Sequence, residues 1–142
     1  ILIVPLSLSD RLTAFPGLTN YTQLPVLVQT YCNVEVKMKI NSEVFFPKPQ
    51  DQYVMIKLTA KKRVRIEEKQ HDLFYDFLKT IFRFKNKDLT KALGLCIKEM
   101  CRKDKKLNEE KLRGKIGEIK VKDNKVYLLE VEDLEKIFNT IF

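Results

Sequence analysis

Residues 34 to 40 alternate apolar and charged, with Val34, Val36, Met38 and Ile40 set against Glu35, Lys37 and Lys39. This period of two predicts a strand with one buried and one wet face. Tyr53, Val54, Met55, Ile56 and Leu58 make a nearly continuous apolar run, the pattern of a strand covered on both faces. Ile1, Leu2, Ile3 and Val4 read as a further core strand, and with no Met ahead of them the expectation is a chain that continues upstream. Phe45, Phe46, Pro47, Lys48 and Pro49 lie between the first two runs. They predict a rigid loop outside either ladder, because proline donates no ladder hydrogen bond.

Elsewhere the apolar spacing is helical. Ser7 or Ser9 is placed to cap a short helix through Arg11, Leu12 and Ala14, which Pro16 and Gly17 end. Leu24, Leu27, Val28 and Tyr31 predict a helix over 23–31, with Pro25 in its first turn. Residues 61 to 70, rich in charge and poor in large apolar side chains, predict a linker. Beyond it, Leu73, Phe74, Phe77, Leu78, Ile81, Phe82 and Phe84 share one half of a helical wheel. Lys85, Asn86 and Lys87 interrupt that helix. Asp88 is placed to cap the next, whose stripe is Leu89, Leu93, Cys96, Ile97 and Met100. A short helix over 107–113 ended by Gly114, a hairpin over 118–129 around Asp123 and Asn124, and a last helix through Leu134, Ile137, Phe138 and Ile141 complete the prediction.

Charge narrows the partners. Lys and Arg number 27 against 19 Asp and Glu, a formal net charge of +8, which favours anionic partners, nucleic acid first among them. No segment approaches the roughly 18 apolar residues of a membrane span, so a soluble, cytoplasmic protein is expected. Cys32, Cys96 and Cys101 are odd in number and lack C-x-x-C spacing. On one helix the last two would point roughly 140° apart, so neither a disulfide framework nor a zinc site is expected.

The four glycines, at positions 17, 94, 114 and 117, form no glycine-rich loop after a strand, so no nucleotide or S-adenosylmethionine cradle is predicted. His71 falls in charged surroundings and receives no role. Two groups of residues remain. In the Phe45–Pro49 loop a proline-stiffened aromatic has the chemistry to stack a base, with Lys48 beside a phosphate; the same residues also suit a turn whose rings plug the core. Arg83, Lys85, Asn86, Lys87 and Lys91, at a helix junction, suit phosphate binding together with helix-start amides, and equally a solvated helix end.

Four pieces in order resemble the ribosomal RNA adenine dimethyltransferase family, specifically its archaeal and eukaryotic-like branch. ILIVPLSLSDRLTAFPG is similar to the family's strand and helix ending in R-L-x-A-x-P-G, and NYTQLPVLVQTYCNVEVKMKI to its next helix and strand. FFPKPQDQYVMIKLTAKK is similar to the F-x-P-x-P loop and following strand, and IFRFKNKDLTKAL to the basic helix junction. The resemblance implies an α/β fold. Residues 1–60 would hold the last strands and helices of a Rossmann-like methyltransferase sheet, and after the 61–70 linker residues 71–142 would form a small, mainly helical RNA-contacting domain. It implies dimethylation of adenine amines in small-subunit ribosomal RNA on the pre-ribosomal particle, with S-adenosylmethionine as cofactor of the complete protein. Phe45 matches the phenylalanine that sandwiches the flipped adenine. The family's glycine-rich donor loop and N-L/P-P-Y motif have no counterpart in this chain, which alone is expected to be inactive. A non-methylating assembly factor that binds ribosomal RNA is the alternative.

Overall fold

The alternating segment folds as an edge strand. In the computed structural model, which describes residues 1–121 and 124–142, β1 (Leu2–Pro5), β2 (Cys32–Ile40) and β3 (Tyr53–Ala60) form an antiparallel sheet in the order β1-β3-β2. Because β1 and β2 both run antiparallel to β3, they point the same way. Their carboxyl ends meet the start of β3, where Pro5 and Ile40 each lie opposite Tyr53. By contact the chain divides into two compact units, Ile1–Arg63 and Val64–Phe142.

In the first unit, α1 (Leu6–Leu12) and α2 (Gln23–Tyr31) accompany the sheet. Val4, Leu12, Val54 and Ile56 form a buried cluster, with Leu6, Leu8, Leu24, Val28, Val34 and Leu58 packed on it. Gln29 Nε2 donates to the Leu12 and Ala14 carbonyls at 2.9 Å each, tying the end of α1 to α2. Gly17, with φ of 91°, turns the connecting loop in a conformation that side chains with a Cβ avoid.

Several expectations need correction here. Ser7 and Ser9 lie inside α1 rather than ahead of it, and no side chain caps the helix. Pro5 precedes the first turn with φ already at −55°, so the helix begins earlier than a serine cap would allow. In α2 the deepest residues are Pro25, Val26 and Thr30, whereas Leu24, Leu27, Val28 and Tyr31 are half-buried. The helix is therefore covered on more than one side. β3 is buried on one face only, through Val54 and Ile56, with Lys57 exposed. The first strand is an edge strand, with Leu2 49% and Ile3 51% exposed and only Val4 buried.

In β2 the register shifts between Val36, opposite Ile56, and Met38, opposite Met55. Residues directly opposite share a face, so the shift sends Val36 and Met38 to different sides of the sheet. The single apolar face predicted for this strand is split, and both side chains are more than half exposed, at 51% and 56%.

The second unit is helical: α3 (His71–Ile81), continued by a 3-10 turn over Phe82–Phe84, then α4 (Leu89–Lys103), α5 (Glu109–Gly114) and α6 (Val131–Ile141). Phe74, Phe77, Phe138 and Phe142 form its aromatic centre, with ring centroids 5.0 to 6.3 Å apart. Within 61–70, Ile66 is buried and Glu68–Gln70 form a 3-10 turn. His71 is the half-buried first residue of α3.

Asp88 precedes α4 but its side chain makes no cap. The Leu89 amide donates to the Asn124 carbonyl at 2.6 Å, and the backbones of Asp88 and Lys125 form an isolated antiparallel β-bridge. α5 ends at Gly114 as predicted, though with right-handed φ and ψ there, and a 3-10 turn follows over Lys115–Glu118. Where the second arm of a hairpin was predicted, Val126–Leu128 form a 3-10 turn. Asp123, at the predicted hairpin tip, lies outside the described residues.

Candidate functional site

The Phe45 loop leaves the carboxyl end of β2, and β1 ends at the same edge of the sheet. A 3-10 turn, Ser42–Val44, starts the loop, and the Asn41 side chain steadies it by accepting from the Glu43 amide at 3.1 Å. Phe45 follows in extended conformation, half-buried, its ring 5.1 Å from that of Tyr53 and tilted by 45°. Phe46 is fully exposed. Lys48 is exposed and has no salt bridge among the described residues. Sequence reasoning missed Tyr53 as a ring partner, because it falls in an apolar strand run.

The basic residues at the α3–α4 junction are not equivalent. Arg83 is paired with Glu99 of α4 and lies 5.9 Å over the Phe84 ring. Lys91 meets Asp88 at 3.9 Å, with both side chains largely in water. Lys85 is half-buried, Asn86 and Lys87 are exposed, and neither lysine has a salt bridge among the described residues. Of the amides at the start of α4, that of Leu89 donates to the Asn124 carbonyl. Lysine side chains thus present the free charge at this junction. Beside them, Arg113 of α5 shares a hollow with Lys87 and Lys91, a neighbour 22 residues further along the chain from Lys91 that spacing gave no signal for.

The glycines form no loop after a strand: Gly17 lies between two helices, Gly94 inside α4, and Gly114 and Gly117 in the helical turns after it. The cysteines are all free thiols. Burial pushes the Cys96 thiol far above its ordinary range, with the Glu99 carboxylate adding to the effect. Burial also raises Cys101, assisted by the carboxylates of Glu109 and Asp104. Neither is prepared as a nucleophile. No helix among the described residues is long and apolar enough to cross a membrane.

Comparison with known proteins fits this geometry. A ribosomal RNA small subunit methyltransferase A from Clostridium botulinum (strain Loch Maree / Type A3) is 30% identical over 92 residues, 65% of this chain and 34% of that protein. Its counterpart in Moorella thermoacetica is 31% identical over 94 residues, covering 66% and 33%. The chain thus spans about a third of the length of the curated relatives it matches. The crystal structure of a dimethyladenosine transferase from Plasmodium falciparum superposes with a TM-score of 0.77 at 20% identity, covering 99% of this chain and 58% of that one. The 23S rRNA methyltransferase ErmE superposes at 0.55 and 12% identity, covering 98% and 52%. The fold is that of the carboxyl-terminal strands and helices of these methyltransferases, followed by a small helical unit. With the sequence model for ribosomal RNA adenine dimethylase matching residues 1–134, the chain belongs to the ribosomal RNA adenine dimethylase family.

Proposed function

We propose that this chain is the RNA-facing part of a small-subunit ribosomal RNA adenine dimethyltransferase. Phe45 stacks the adenine taken out of its helix, Lys48 meets the adjoining phosphate, and Arg83, Lys85, Asn86, Lys87 and Lys91 hold the RNA backbone. The observation that carries this reading is the Phe45 ring, braced at 5.1 Å by Tyr53 at the edge of the sheet where β1 and β2 end. An enzyme that modifies a base amine must extrude that base, and a positioned aromatic ring offsets part of the unstacking energy. S-adenosylmethionine supplies the methyl group and is held by the complete protein outside this chain. The particle acted on is the pre-ribosomal small subunit, in the cytoplasm.

Binding of a small-subunit ribosomal RNA fragment to this chain, titrated over a range of salt, tests the reading. Lys85→Ala with Lys87→Ala lowers affinity and flattens the salt slope by roughly 0.7 to 0.9 per lost phosphate contact. An unchanged slope removes the junction from the interface.

A further inference from the structure

The helical unit carries a basic surface that starts at Lys91 of the junction and runs beyond it along α4. α4 buries Leu89, Ala92, Leu93, Cys96, Ile97 and Met100. At 3.6 residues per turn, Lys91, Leu95, Lys98 and Arg102 fall on the opposite side, within about 60° of one another. All four are exposed, and no acidic residue of α4 shares their quadrant. Lys98 and Arg102 have no ion pair among the described residues. With a rise of 1.5 Å per residue, the three cations mark out a ridge about 17 Å long.

Leu95, 37% exposed, sits in the middle of this ridge and forms part of a hollow of about 380 Å³ with Lys87, Thr90, Lys91, Gly94 and Arg113. Arg113 reaches over from α5. Its Nη2 donates to the Gly94 carbonyl at 3.1 Å, and its Nε donates to Glu109 Oε1 at 2.8 Å, which fixes the guanidinium plane at the rim. A Cβ at position 94 would touch only Arg113, at 3.4 Å from Nη1. Packing therefore has little need of a glycine that weakens a helix interior relative to alanine. The space it leaves serves the hollow.

We propose that this face of α4 is a track for single-stranded RNA, with successive phosphates on Lys91, Lys98 and Arg102 and a base lying over Leu95 and Gly94 beside Arg113. The proposal rests on the RNA-binding reading above and adds a site to it. A ridge of one charge sign with an apolar contact inside it matches a strand whose backbone is anionic and whose unpaired bases present flat apolar faces. A duplex keeps those faces stacked inside.

The test is binding of a labelled oligouridylate to this chain over a range of salt. Lys98→Gln with Arg102→Gln lowers affinity about tenfold or more and reduces the salt slope by about 1.4, from roughly 0.7 per contact on a single strand. Leu95→Ser weakens binding about threefold and leaves the slope unchanged. Circular dichroism stays that of the parent, since all three side chains are exposed. An unchanged slope for Lys98→Gln/Arg102→Gln, while Lys85→Ala/Lys87→Ala still weakens binding, overturns the track and leaves the RNA-binding reading standing. A duplex that binds better than the oligouridylate, or an oligoglutamate that competes equally well, also overturns it. No binding of any RNA by the parent chain overturns both.

Discussion

The ring of Phe45 lies 5.1 Å from that of Tyr53 at a tilt of 45°, whereas its neighbour Phe46 projects fully into solvent. Tyr53 is the first residue of β3 and stands opposite both Pro5 and Ile40, so the Phe45 ring is anchored to the sheet. Aromatic pairs of this kind contribute about 0.5–1.5 kcal/mol beyond the area they bury. Tyr53→Ala is therefore expected to loosen the loop and to speed amide exchange at Val44 and Phe45, with a stability loss of about 1 kcal/mol. Unchanged exchange would show that the tyrosine does not brace the ring.

Arg83 is the junction cation least free to leave for RNA, because it is paired with Glu99 and placed over Phe84. Arg83→Ala is expected to weaken RNA binding less than Lys87→Ala. Glu99→Gln, which releases the guanidinium, is expected to strengthen it about twofold. Filter binding at fixed salt ranks the three, and Arg83→Ala as the most damaging would contradict the assignment.

The Thr80 hydroxyl is buried in α3 with no hydrogen-bond partner among the described residues. A buried unsatisfied hydroxyl costs about 1–3 kcal/mol, and valine has nearly the same shape. Thr80→Val is expected to raise the urea midpoint by an amount worth about 1 kcal/mol. A lowered midpoint would reveal a bond to the hydroxyl.

Phe138 is fully buried and packs on Phe74, Phe77 and Phe142. Phe138→Ala is expected to destabilise the helical unit by about 3–5 kcal/mol, read from denaturant unfolding of its helical signal. A loss under about 1 kcal/mol would mean that the aromatic centre does not hold the unit together.

Cys96 makes stability depend on alkaline pH. Its folded thiol is raised above the ordinary 9.0, so the stability linked to it is fully present below about pH 9 and is lost as the unfolded thiol ionises above that. The parent is expected to lose stability above pH 9 more steeply than Cys96→Ala, and its Cys96 is expected to resist thiol reagents until the unit unfolds. Parallel pH profiles would contradict this.

Periodicity located the long elements because burial and spacing agree there: the stripes of α3, α4 and α6 are the faces those helices bury. It failed where partners distant in sequence decide. Asp88 looked like a cap, yet its side chain makes none, and the Leu89 amide beside it is met by the distant Asn124 carbonyl. Val36 and Met38 looked like one face until a register shift separated them. Motif order pointed to the family and, through F-x-P-x-P, to Phe45 rather than Phe46, but nothing in the sequence placed the Tyr53 ring beside it. Arg113 was illegible for the same reason, being brought to Lys87 and Lys91 by the packing of α5 on α4.

The most direct test of the central claim, that Phe45 receives the target adenine, is methyl transfer to small-subunit ribosomal RNA by the full-length protein, measured beside RNA affinity for Phe45→Ala and Phe46→Ala. Stacking worth about 1–3 kcal/mol predicts that Phe45→Ala lowers transfer roughly 5- to 100-fold while affinity stays within about twofold, and that Phe46→Ala does much less. Equal loss of transfer and affinity in Phe45→Ala, or a larger effect at Phe46, would contradict the account.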